Sequence, residues 1–263
     1  MIIDIHAHIF PEYLAKGAIE SLSKKSNTLP LTDGTANGTI EFMQKNGIDI
    51  FVAQNIAVTE KSEKKVNDFA ILSQTENIIP FGSVNPLSQN AISELIRLKN
   101  NGIKGVKFHN EYQNFSPDDD KALILYEKCI ELGLVIMFHG GEDIGFAPPY
   151  NSTPIKFLNV YKNLPYNKYI VAHMGGYLMY NEAVKFLADT MINIDTSYAL
   201  NKMDKKTSEY VIDAFTSDKV LFGSDCPWES PKLILQALKK LKYVNEDFEK
   251  ITYKNAKKLL NIK

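Results

Sequence analysis

The chain has 263 residues, 44% hydrophobic and 23% charged, an ordinary globular composition long enough to bury a large core. A formal net charge of −1 leaves no basic face for nucleic acid and no polybasic anchor for a membrane. Two cysteines, Cys129 and Cys226, argue against a disulfide framework and for a reducing, cytoplasmic setting.

The opening Met-Ile-Ile-Asp-Ile-His is interrupted by an acid and a histidine too early for a signal peptide, and no run approaches a membrane span. It reads as a first strand, Ile2–His8. Phe10 to Asn46 is longer than one crossover needs, and its Ser26–Pro30 and Asp33–Gly38 pieces suggest an excursion over one end of the fold. Further strands are expected at Ile48–Gln54, Ile79–Val84, Gly105–His109, Val135–His139, Tyr169–His173, Ile192–Asp195 and Val220–Ser224. Between them Ala91–Lys99 and Leu123–Leu132 place apolar residues at helical spacing, with Gly47, Gly102 and Gly133 as stops. Lys232–Leu241 and Ile251–Leu260 read as closing helices. Alternating β and α units argue for a parallel sheet. Eight repeats at this length favour a single-domain, distorted (β/α)8 barrel over residues 1–263, with a doubly wound sheet as the alternative.

All five histidines, His6, His8, His109, His139 and His173, fall at or near the carboxyl end of an expected strand. In a barrel those ends converge on the face that carries active sites. In His6-Ala-His8 the i, i+2 spacing on a strand puts both imidazoles on one face, which suits a divalent transition metal. His139 ends a buried run before Gly140-Gly141, a pair that makes room beside the ring, and His173 repeats the pattern in His173-Met-Gly-Gly176. Asp225, after the last strand, could cap a helix, begin a turn or complete a ligand set. Lys107 and His109 share a face of the fourth strand. Lys107 could bind an anion, pair with Asp225 or Glu142, carry a carbamate between two metals, or snorkel to solvent. No phosphate-binding glycine loop and no Gly-x-Ser-x-Gly elbow is present.

With these residues in place the chain resembles the amidohydrolase superfamily, and within it the branch that includes aminocarboxymuconate-semialdehyde decarboxylase. The likeness spans nearly the whole chain. It rests on Asp4-Ile-His6-Ala-His8 with Phe10-Pro11, Gly105-Val-Lys107-Phe-His109, His139-Gly, His173-Met-Gly-Gly176, Gly223-Ser-Asp225-Cys-Pro-Trp228 and Tyr253-Lys-Asn255. The resemblance implies a metal, usually zinc, on His6, His8, His139 and Asp225, with His173 acting on water or substrate. Binuclear relatives imply a carbamylated lysine at a place like that of Lys107, with His139 and His173 on the second ion. One ion is favoured over two. The expected activity is hydrolysis of a small ester, lactone or amide, with Asp225 and His173 as catalytic groups. The alternative is non-oxidative decarboxylation of an aromatic or unsaturated acid. The decarboxylase likeness implies arginines on a carboxylate, yet Arg97 is the only arginine, so Lys107, His109 or the metal would have to serve. A small-molecule substrate is the expected partner, and a homodimer is left open.

Overall fold

Eight short strands alternate with helices along the chain in the computed structural model, which describes residues 1–262. The strands are β1 (Ile3–Ala7), β2 (Ile50–Gln54), β3 (Ile78–Phe81), β4 (Gly105–Phe108), β5 (Val135–Phe138), β6 (Tyr169–Val171), β7 (Asn193–Asp195) and β8 (Val220–Leu221). Each expected strand is present, most of them trimmed at one or both ends. Every strand pair is parallel, in the order β1-β2-β3 and β4-β5-β6-β7-β8. Two seams close the ring. Between β3 and β4, the Gly82 amide donates to the Gly105 carbonyl and the Lys107 amide to the Gly82 carbonyl (3.0 and 2.8 Å). Between β8 and β1, the Ile5 amide donates to the Phe222 carbonyl and the Asp225 amide to the His6 carbonyl (2.8 and 2.7 Å). The closed circuit makes this a distorted (β/α)8 barrel and removes the doubly wound alternative.

Alternation along the strands divides the core. Ile3, Ile5, Val52, Val135, Met137 and Ile170 pack in one cluster inside the ring, sealed from below by Ala256 and Leu260. Their neighbours Phe51, Val106, Phe108, Ile136, Phe138 and Val171 face the surrounding helices. In that outer layer the helix at Ala91–Asn100 buries Leu95 and Leu98 on one stripe, and the helix at Asp120–Glu131 buries Ala122, Leu125 and Cys129.

The excursion after β1 carries two helices, α1 (Glu12–Ser26) and α2 (Ala36–Lys45). A third, α3 (Glu60–Leu72), starts at a reciprocal cap: the Thr59 hydroxyl accepts from the Ser62 amide and the Ser62 side chain from the Thr59 amide. The last helix opens with a wide turn over Lys250–Lys254 before Asn255–Leu260. No helix among the described residues is long and apolar enough to cross a membrane.

Candidate active site

The carboxyl ends of the strands surround a cavity of about 390 Å³, and His6, His8, Lys107, His109, His139, His173 and Asp225 all line it. Strict alternation would not have put His6 there. Ile3 and Ile5 face the barrel interior, so the next residue should turn outward. The register of β1 against β2 shifts between Asp4 and Ala7, an irregularity of the kind that re-aims a side chain, and His6 turns toward Asp195, Lys107 and Asp225. After the irregularity the alternation resumes: Ala7 packs in the outer cluster, and His6 and His8, two residues apart, both line the cavity.

His6 and His8 meet at one carboxylate oxygen: Asp225 Oδ1 lies 3.3 Å from His6 Nε2 and 3.1 Å from His8 Nε2. The far nitrogen of each ring is already engaged. His8 Nδ1 donates to the Gln54 carbonyl at 3.1 Å, and a carbonyl can only accept. His6 Nδ1 lies 2.9 Å from Asp195 Oδ2. In the neutral rings, both Nε2 lone pairs then point at the lone pairs of a carboxylate. That juxtaposition is repulsive unless a cation stands among them; the Lys107 ammonium reaches His6 Nε2 alone, at 3.4 Å, and the three donors are a set that a divalent transition metal accepts.

Ser197 selects these tautomers. Its hydroxyl donates to Asp195 Oδ1, which commits its only proton. The Ser197 Oγ itself lies 3.0 Å from His6 Nδ1 and 2.9 Å from His173 Nδ1, so both imidazoles donate to it. His173 Nδ1 is also 3.0 Å from the Ser197 carbonyl. The His173 Nε2 lone pair is thus left to accept from His139 Nδ1 at 3.1 Å. His139 Nε2, at the end of this chain, is buried with no hydrogen-bond partner. A buried lone pair without a donor costs about 1–3 kcal/mol; a metal ion would satisfy it.

The expected ligands therefore do not all stand alike. His6, His8 and Asp225 form one group of mutually close donor atoms, within 4.8 Å of one another. His139 belongs to a different group, with His109 and Asp143. It lies beside the trio rather than across the barrel from it, since the ring of His173 is 5.1 Å from that of His6 and 4.8 Å from that of His139. His109 stacks on His139 at 4.3 Å and 13°, and its Nε2 reaches Asp143 Oδ2 at 3.2 Å.

The electrostatics follow from burial. Desolvation lowers His6 and His139 well below the ordinary histidine value, with Lys107 and His109 respectively adding to it. It lowers His173 as well, against the opposing pull of Asp225 and Asp195. For Asp225, burial alone would raise the carboxyl, but the positive charge that His6, His8 and His173 carry once protonated in acid outweighs it and holds it at about 2. Asp4 goes the other way: buried beneath the cluster, with Oδ1 accepting from the His6 and Ser224 amides at 3.0 Å each, it is raised by desolvation to about 7.

Lys107 is 1% exposed, which removes the snorkelling alternative. Its ammonium lies 3.4 Å from His6 Nε2. Among the described residues it forms no ion pair, with Asp225, Glu142 or any other carboxylate; burial lowers it to about 8, against the attraction of Asp195 and Asp225. Arg97 is spent elsewhere, on Glu94 and Asp68, each at 2.8 Å.

Two of the expected catalytic residues hold left-handed backbone, His173 at φ 60° and Asp225 at φ 73°, a conformation that non-glycine residues keep only where the surroundings impose it. For His173 the cause is visible: its amide leaves the strand ladder to donate to Asp195 Oδ1 at 2.9 Å. The glycines after His139 serve the backbone rather than the ring. A Cβ on Gly140 would meet the Ala172 carbonyl at 2.6 Å, and one on Gly141 would collide with the Tyr177 backbone.

Asp195, Ser197, Gln54 and Asp143 were not singled out from the sequence. Asp195 ends β7 as an acid at a strand terminus, the same signal that drew attention to the histidines. Ser197, the Gln54 carbonyl and Asp143 carry no comparable mark.

A family model described as amidohydrolase matches residues 3–262. No curated protein matches the sequence significantly. Among solved structures, the chain is similar to an uncharacterised TIM-barrel protein, Bb4693, from Bordetella bronchiseptica (TM-score 0.81, 18% identity, 99% of this chain and 98% of that one). It is similar to a dihydroxybenzoic acid decarboxylase from Polaromonas with bound manganese and the inhibitor 2-nitroresorcinol (0.73, 16%, 99% and 96%). It also resembles a probable 2-pyrone-4,6-dicarboxylic acid hydrolase from Acinetobacter baumannii with citric acid bound (0.69, 15%, 99% and 99%).

Proposed function

The chain belongs to the amidohydrolase family, and from that premise we propose that it is a metal-dependent hydrolase of a small ester, lactone or amide. The observation that carries this reading is the meeting of His6 Nε2 and His8 Nε2 at Asp225 Oδ1, with the opposite ring nitrogens engaged by Asp195 and Gln54. In this reading His6, His8 and Asp225, completed by the unpartnered Nε2 of His139, would hold one divalent transition metal, with zinc as the expected ion. When bound, such an ion supplies a Lewis acid that acidifies water and polarises a carbonyl.

The chain's own groups divide the remaining work. Asp225, ionised throughout the neutral range, is placed to accept a proton from an attacking water. His173 is held neutral by burial, its Nδ1 proton fixed on Ser197, so its Nε2 is an acceptor that would take and return a proton on the substrate side once a substrate group displaces the His139 contact. Asp195 and Ser197 orient these rings without touching substrate. Both cysteines are free and buried, in keeping with a cytoplasmic enzyme working on a small molecule as one catalytic domain.

A second reading, decarboxylation, is favoured by Lys107. A buried ammonium without a carboxylate partner is suited to a substrate carboxylate, which it would hold beside His6. Metal analysis, followed by a screen of esters, lactones and aromatic acids with trapping of released carbon dioxide, separates the two. Hydrolysis without carbon dioxide supports the first; carbon dioxide evolution from an aromatic acid supports the second and defeats the first.

A further inference from the structure

The histidine cluster occupies one end of the cavity. A different chemistry lines the wall that leads from it between α1 and α3. Leu14 and Leu22 of α1, Ile56 and Val58 after β2, and Val66 and Phe69 of α3 all line the cavity. This wall continues to the surface, where Leu14 is 50% and Val58 43% exposed. Of the charged residues that line the cavity, Lys107, Asp143 and Asp225 stand in the histidine cluster, Glu142 follows β5 next to Asp143, with the Tyr150 hydroxyl 3.4 Å from its carboxylate, and Lys65 lies on the exposed side of α3. No arginine faces the cavity, since the chain's only one is held by Glu94 and Asp68. An apolar passage joined to a polar, titratable end suits an amphiphile whose reacting group sits at the polar end.

We infer that the substrate carries an apolar alkyl or acyl tail, which lies between α1 and α3 while its reacting group meets the histidine cluster. The inference rests on the proposed function in taking that cluster as the reacting end. It explains what the segment Phe10–Asn46 contributes: α1 brings Leu14 and Leu22 over the barrel mouth and forms one side of the passage. A compact, doubly charged acid would leave the passage unfilled and find Lys107 as the only buried cation among the described residues that line the cavity.

The experiment is equilibrium binding of straight-chain carboxylates from acetate to octanoate to the metal-loaded protein. It is followed by calorimetry and by the fluorescence of Trp228, which is the only tryptophan and lines the cavity. The affinity should rise about fourfold per methylene until the passage is filled. Leu14→Asp and Val58→Asp change half-exposed positions on the wall of the passage, and each should lower the octanoate-to-acetate affinity ratio about tenfold or more with the melting temperature checked alongside. Equal affinity for acetate and octanoate, or an unchanged ratio in both variants, overturns the inference. Because binding is read without turnover, the two readings fail separately. A steep chain-length dependence in a protein that hydrolyses nothing keeps the tail passage and defeats the hydrolase reading. Hydrolysis of short esters with a flat dependence does the reverse.

Discussion

His8 and Asp225 stand 217 residues apart in the chain, yet His8 Nε2 lies 3.1 Å from Asp225 Oδ1. The backbone brings them together where the barrel closes: the Asp225 amide donates to the His6 carbonyl and the His8 amide to the Cys226 carbonyl, at 2.7 and 2.6 Å. Asp4, fully buried, fastens the same seam through the Ser224 amide. Barrel closure and assembly of the candidate ligand set are thus one event, and a change that loosens the β1–β8 seam should weaken both.

Ser197 is predicted to act through His6 and His173 as a positioning residue. Ser197→Ala removes the oxygen that receives both Nδ1 protons while leaving Asp195 Oδ1 its bonds from the His173 and Ser197 amides. Metal affinity should fall about 10–100-fold, as for other groups that orient ligands, with the fold retained. Competition against a chelating dye checks it; unchanged affinity would mean the rings choose their tautomers without the hydroxyl.

Lys107 should matter for turnover more than for folding. Lys107→Met keeps most of the buried volume and removes the charge. It should lower kcat/KM about 10–100-fold, the worth of a charged hydrogen bond, with little change in melting temperature. Wild-type kinetics in Lys107→Met would remove the ammonium from the mechanism. Extra electron density on the amine in a crystal structure would establish a carbamate and two ions.

The metal-free protein should lose stability in acid in two stages. His6, His139 and His173 are held below 6.5 in the folded chain, whereas the unfolded chain takes up protons near 6.5. The unfolded state binds more protons at the three rings, so stability rises with pH through this range and is lost as pH falls below it, by about 1.4 kcal/mol per pH unit for each ring in its window; Asp4, raised to about 7, acts with the opposite sign between about pH 4 and 7 and offsets one ring. Asp225 adds a lower stage. Its carboxyl is held at about 2 against 3.8, so its contribution is present above about pH 4 and disappears as pH falls toward 2. Melting temperatures of chelator-treated protein between pH 7 and 3 measure both stages; a flat profile from pH 7 to 5 contradicts the buried neutral rings.

His173 should separate chemistry from metal binding. His173→Ala is expected to lower kcat about 10²–10⁴-fold while keeping most of the metal, because its Nε2 faces His139 rather than the trio. Loss of metal in step with activity would make His173 a ligand and favour a binuclear centre. Full activity would leave proton transfer to Asp225.

Much of this was legible in the sequence because strand ends in a barrel share one face. Every histidine at such an end lines the cavity, and β4 and β5 begin at Gly105 and Val135 as expected. The departures have local causes. β6 stops at Val171 instead of running to His173 because the His173 amide turns to the Asp195 carboxylate. His6 reaches the interior through a register shift that alternation cannot foresee. Ser197 matters through three contacts made across the barrel, to His6, His173 and Asp195, and a serine two residues past a strand carries no signal of that. The excursion after β1 was visible as surplus length, whereas the passage it builds needed α1 set against α3.

The measurement closest to the central claim is the metal content of the purified protein and of His8→Ala, each paired with activity against the substrate found by the screen. The account predicts about one divalent transition-metal ion per chain in the wild type, and loss of metal and activity together in a folded His8→Ala variant. A wild-type protein that stays fully active after exhaustive chelation, or a His8→Ala variant that keeps its metal, would contradict it.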